Sequence, residues 1–135
     1  MLSASRRRGY DAERRLVKLL SKRPTAYVIR VPVSGSRAPP DGRVALPDVF
    51  MVDNARNEIV AFEVKATSGR RVTVRAEQLV KLFKFLDAFK RYEKRYAVVA
   101  VWFASEGKWV FKRVRETFPP SSVVISCEEE SDWQP

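Results

Sequence analysis

The stretch LPDVFMVDNARNEIVAFEVKA, Leu46 to Ala66, decides how this chain folds. Two apolar runs, Val49 to Val52 and Ile59 to Phe62, flank DNARNE, which holds the Asp and Asn residues that tight turns favour. The pattern predicts an antiparallel hairpin of strands Pro47 to Val52 and Ile59 to Ala66. The two runs are symmetric about the Ala55–Arg56 bond, which sets the register and puts Asp48 opposite Glu63. Like charges facing each other across a hairpin are destabilising. A chain that keeps such a pair at the end of an apolar hairpin has a use for it, and a bound cation supplies one.

Side chains alternate along a strand, so Glu63 and Lys65 project from one face with Val64 on the other. Asp48, Glu63 and Lys65 therefore converge. Two carboxylates suit a hard, oxygen-seeking ion such as Mg2+, with Mn2+ able to substitute, and a nearby lysine can orient or help deprotonate water for phosphoryl chemistry. Singly, Glu63 and Lys65 read as an ordinary exposed strand pair and Asp48 as a loop-ending cap. Their convergence in an independently derived register favours the site. Glu13 shares a helical face with Val17 and Leu20, where the apolar stripe would otherwise continue. It is either an acid placed to suit the helix dipole or, if its helix crosses the hairpin end, a third metal ligand.

Around the hairpin, helical spacing predicts a first helix from Tyr10 to about Lys22 after a basic lead-in, and Thr25 to Val33 reads as a strand. The loop SGSRAPPDGRVALPD, Ser34 to Asp48, is long for a compact domain. It is expected to act as a hinged, basic flap over the acids. A short VTV precedes a second amphipathic helix, Arg75 to Arg95, with Lys81, Lys84 and Arg91 on one side. Tyr96 to Ala104 reads as a strand covered on both faces, and Lys108 to Arg115 as an edge strand. The order α-β-β-β-α-β-β implies an α/β fold, a central mixed β-sheet flanked by helices, one on each side. Residues 1–118 read as a single domain and 119–135 as a polar, acidic, loose tail in which Trp133 could dock.

Composition narrows the chemistry. The chain of 135 residues contains no histidine, which excludes an imidazole base, an imidazole metal ligand and a Ser-His-Asp triad. Its one cysteine, Cys127, excludes an internal disulfide and a cysteine zinc cluster. No apolar run approaches the length of a spanning helix, and no signal-peptide pattern opens the chain. The expectation is a cytoplasmic, nucleoid-associated protein with no membrane partner. Four acids lie after Cys127, and the remaining 26 basic against 12 acidic residues leave a surplus of 14 positive charges. That excess suggests a polyanion, nucleic acid first. Arg6, Arg7, Arg8, Arg37, Arg43, Arg70 and Arg71, in segments read as loops or termini, are placed to hold backbone phosphates.

Pro47-Asp48 followed by Glu63-Val64-Lys65 resembles the PD-(D/E)xK nuclease signature. Taken with RRRGYDAERRLVKLL, VIRVPVSGS and VRAEQLVKLFKF in order, the chain from about residue 6 to 115 resembles the archaeal Holliday junction resolvases. The resemblance implies a restriction-endonuclease-like core and metal-binding or catalytic roles for Glu13, Asp48 and Glu63, with Lys65 as catalytic lysine. It further implies DNA-contacting roles for Arg14 and Arg30, a link to activity for Ser34, and an active-site support in Gln78. It implies a Mg2+-dependent endodeoxyribonuclease working as a homodimer on four-way junction DNA in recombination and repair. Phe85, Phe89, Tyr92 and Trp109 are candidates for the dimer interface, with core packing the stronger reading of the first two. A sliding clamp or another recombination protein stands as a further candidate partner. Another endonuclease of this superfamily, acting on linear or damaged DNA, and a non-catalytic DNA-binding module are the alternatives.

Overall fold

The computed structural model of the protein describes residues 3–32 and 45–135. Helix α1 spans Ala4–Leu20, and strands β1, β2 and β3 span Ala26–Arg30, Val49–Asp53 and Glu58–Thr67. Strand β4, Arg71–Val74, leads into helix α2, Ala76–Asp87. Strands β5, Lys94–Phe103, β6, Lys108–Val114, and β7, Val123–Ser126, complete the described elements. Five of the strands form one sheet in the order β1-β2-β3-β5-β6, and β4 pairs with β7 in a second, two-stranded sheet. In the main sheet β3 and β5 run parallel and the other neighbours are antiparallel, so the sheet is mixed as expected.

The hairpin carries the expected register: Val49 faces Phe62 and Asp53 faces Glu58. Its turn closes with Asn57 in the left-handed region at φ 53°, a conformation asparagine tolerates better than most residues. The β5–β6 turn repeats the design, with Gly107 at φ 62° in the matching position. Alternation along β3 feeds two cores. Val60, Phe62 and Val64 pack with Ala12, Leu16 and Leu20 of α1, whereas Ile59 and Ala61 pack with Leu79, Leu82 and Leu86 of α2. One helix thus lies on each face. This explains why β3 and β5 are almost continuously apolar, and each fully buried leucine of these seams contributes about 2 kcal/mol.

Three boundaries differ from the sequence expectation. Helix α1 begins at Ala4 rather than Tyr10, because the Ser3 hydroxyl caps it by accepting the Arg6 N–H at 3.2 Å. Arg6, Arg7 and Arg8 therefore ride on helix, not on a loop. Helix α2 ends at Asp87 rather than Arg95, since Lys94 and Arg95 are drawn into β5 by pairing with Glu58 and Ile59 of the long β3.

The third correction concerns the chain end, which packs instead of lying loose. Val123 to Ser126 pairs antiparallel with Val74 to Arg71. Farther on, Ser131 Oγ accepts the Phe111 N–H at 2.9 Å and Asp132 Oδ1 accepts the Arg113 N–H at 2.6 Å, covering the outer edge of β6. Trp133 is 7 % exposed, edge-on to Phe62 at 5.3 Å and Phe111 at 5.5 Å. The Arg23 guanidinium lies 5.3 Å over its ring. The β-branched run VVIS and Trp133 carry the signal, but β4 and Phe62, which they meet, are more than forty residues away in sequence.

Replacing Trp133 by Ala should lower the unfolding free energy in urea by about 3 kcal/mol, as for other buried aromatic truncations. A loss below about 0.5 kcal/mol, the level of an ordinary surface substitution, would mean that the chain end is not docked.

Candidate active site

The acids meet where the hairpin opens away from its turn. Asp48 immediately precedes β2, and its backbone N–H donates to Phe62 O at 3.1 Å, extending the ladder by one step. Its side chain is anchored as well: the Val64 N–H donates to Asp48 Oδ2 at 2.9 Å. Glu63 lies on the β3 face that α2 covers, since it alternates in phase with Ile59 and Ala61. It is 5 % exposed, and Lys65 Nζ approaches its Oε1 at 3.7 Å.

The electrostatics are those of carboxylates crowded out of water. Burial pushes Glu63 up to about 7 from an ordinary 4.5, the Asp48 charge adds to the rise, and Lys65 and Lys81 oppose it. Burial likewise raises Asp48, against the Val64 N–H, Lys81 and Lys65. Two lysines therefore act on the pair, one from β3 and one from α2. Lys81 was legible in sequence only as part of a basic helix side. Which sheet face α2 covers, and so which acids Lys81 meets, depends on the strand order.

Glu13 lies on the opposite face. It belongs to the side of α1 that packs on Val49 and Phe62, is 9 % exposed, and accepts a hydrogen bond from Arg30 Nε at 2.9 Å. Burial raises it to about 7, with a further push from the Asp48 charge and relief from Arg30. Among the described residues no three acids are grouped closely enough to hold a metal together. The expected cluster of Glu13, Asp48 and Glu63 is thus a close pair with Glu13 coupled to it by charge. Arg30, which holds Glu13, also lies 5.1 Å over the Tyr10 ring.

The remaining candidates are dispersed. Arg14 is exposed and pairs with Asp11 at 3.3 Å. Arg6, Arg7 and Arg8 are exposed on the first turns of α1. Arg71 is exposed on β4, and Arg70 in the turn before it meets Glu128 at 2.7 Å and Glu106 at 3.8 Å. The Gln78 side-chain oxygen accepts the Arg75 N–H at 3.1 Å, so it caps α2. Ser34, Arg37, Arg43 and most of the loop read as a flap lie outside the described residues. Of the four aromatics, Phe85, Phe89 and Tyr92 run together on the α2 side, whereas Trp109 stacks on Phe111 on the α1 side.

The comparisons agree with this architecture. Residues 4–128 match the family model described as archaeal Holliday junction resolvase (hjc). The crossover junction endodeoxyribonuclease Hje of Sulfolobus acidocaldarius is 35 % identical over 108 residues, covering 80 % of this chain and 70 % of that protein. The crossover junction endodeoxyribonuclease of Sulfolobus islandicus rod-shaped virus 1 is 40 % identical over 87 residues, covering 58 % of this chain and 66 % of the viral one. The crystal structure of Archaeoglobus fulgidus Hjc, a Holliday junction resolvase, superposes with a TM-score of 0.65 at 22 % identity over 88 % of each chain.

Raised carboxyls make a signed prediction. In chelator, Glu63 binds a proton in the folded chain up to about pH 7 but in the unfolded chain only to about 4.5. Between those values the folded state holds more protons, so this group's contribution to stability falls as pH rises. The melting temperature of Glu63→Gln relative to the unsubstituted protein should therefore climb across that window. A difference that stays flat or falls would contradict the buried, charge-crowded site.

Proposed function

The chain belongs to the archaeal Holliday junction resolvase family and is a junction-resolving endonuclease, and we propose that it cuts with a divalent ion held between Asp48 and Glu63. The observation that carries this reading is the opposed carboxyl pair, Glu63 buried and Asp48 half-buried, both raised by desolvation and served by two lysines. The donor set fits such an ion: two hard oxygen ligands, each disfavoured as an anion without a cation. Mg2+ is the proposed ion, with Mn2+ as a substitute; when bound it would polarise a phosphoryl oxygen and stabilise charge in an in-line displacement.

The protein's own groups prepare that step. The Val64 N–H fixes one oxygen of Asp48 and thereby its orientation. Lys65 favours the ionised form of Glu63 against its burial and can hydrogen-bond a water approaching the phosphate. Arg30 is held by Glu13. Drawn to a DNA phosphate, it would leave the Glu13 carboxylate available as a third ligand.

DNA contact is supported by charge placement. Arg6, Arg7 and Arg8 occupy the N-terminal turns of α1, where cations oppose the helix dipole, and no acid lies in the first turn to offset them. An arrangement that weakens the helix is explained by a partner that needs those charges. Arg70 and its acids form an exposed pair, worth little to the fold and readily exchanged for phosphate. Paired incisions in symmetry-related strands suit a C2 homodimer. The contiguous half-buried rings of Phe50, Phe85, Phe89 and Tyr92, with centroids 4.9–6.4 Å apart, support an interface on the α2 side.

A four-way junction and a matched linear duplex, each with Mg2+ and with chelator, test the reading. Cutting should require both the junction and the metal. Asp48→Asn and Glu63→Gln should abolish cutting and leave junction binding nearly intact; retained cutting would remove the assigned site. Equal cutting of linear duplex would favour a general endonuclease of the same superfamily.

A further inference from the structure

Beside the acid pair a cavity of about 520 Å³ opens between the start of α2 and the segment leading to Asp48. One wall is apolar, made by Ala45, Ala76, Val80 and Pro120, and Lys81 and Lys84 form the other. The two lysines stand three residues apart on α2, on one helical side. Among the described residues neither makes an ion pair within 4.0 Å, whereas Glu77, the acid on the wall, is taken up by Arg75 at 3.3 Å. The cavity thus offers two positive charges and an apolar surface, at a site whose carboxylates both sense Lys81.

A sugar-phosphate unit has matching chemistry: an anionic phosphate that draws ammonium groups and a deoxyribose that packs on small apolar side chains. The volume lies in the range of small-ligand sites. We infer that this cavity seats one nucleotide of the DNA strand next to the cut, its phosphate on Lys81 and Lys84 and its sugar against Ala76 and Val80. The inference rests on the resolvase reading and extends it. Lys81 is then a positioning residue with two states. Without DNA it offsets the Asp48–Glu63 charge, and with a metal ion and DNA present it turns to the phosphate. Asp48 follows Ala45 by three residues, so seating a nucleotide there would register the strand against the acids.

Junction binding by fluorescence anisotropy in chelator, over a series of salt concentrations, tests it. Lys81→Met and Lys84→Met should each reduce the slope of log K against log salt by about 0.9, and the double variant by about twice that. Lys81→Arg should keep the slope of the unsubstituted protein. Ala76→Leu, which fills the apolar wall, should weaken binding several-fold with the slope unchanged. If the unsubstituted protein binds and cuts the junction but the lysine variants keep its affinity and slope, the inference fails alone, and a loss of cutting in Lys81→Met would then be assigned to the acid pair. If the unsubstituted protein neither binds nor cuts a junction, the resolvase reading fails and takes this inference with it.

Discussion

Like charges face each other at both ends of the β2–β3 hairpin, and how each pair is neutralised organises the molecule. At the turn end Asp53 faces Glu58, both buried, with Arg23 at 3.9 and 3.6 Å and Arg56 at 3.7 Å from Asp53. That pair has an enclosed arginine, Arg23, and an exposed one, Arg56. At the open end Asp48 and Glu63 have lysines on their margin and remain raised by burial. A buried ion pair is strongly destabilised when one partner is lost, by about 3–5 kcal/mol. The hairpin is thus pinned at one end by arginine and left at the other with a demand for positive charge that an external cation can meet.

The two faces of the sheet divide the work. Helix α1 covers one face and brings Glu13, which Arg30 of β1 meets there. Helix α2 covers the other and brings Lys81. Strand β3 is apolar toward both helices from Ile59 to Phe62, and its polar residues lie toward its ends, Glu58 at the turn and Glu63, Lys65 and Thr67 at the other. Stability and chemistry are therefore separated along a single strand.

Much of this was legible beforehand because the hairpin signal is local. The apolar runs, the turn residues and the two-residue period lie within twenty-one consecutive positions, and they set the Asp48–Glu63 opposition without any tertiary knowledge. The depth of Glu13 was half legible: its helical face could be read, but its partner Arg30 depends on where β1 lies. What escaped was long-range. The role of Lys81 required the strand order, and the partnership of Gln78 with the Arg75 N–H is a capping interaction visible only once the start of α2 is known. The chain end was misread as loose because strand pairing with β4 is a tertiary effect that outweighs its polar composition, although the docking of Trp133 was open to the sequence reading.

The covering of β6 by Ser131 and Asp132 reaches beyond the monomer. An uncovered edge strand is a template on which another chain can add a strand, and proteins manage that hazard explicitly. Here side-chain oxygens occupy two N–H groups of the edge, at Phe111 and Arg113, in place of a neighbouring backbone. Two copies cannot fuse their sheets through this side while the segment is in place. The acidic end of the chain therefore works as a stopper against strand addition at β6.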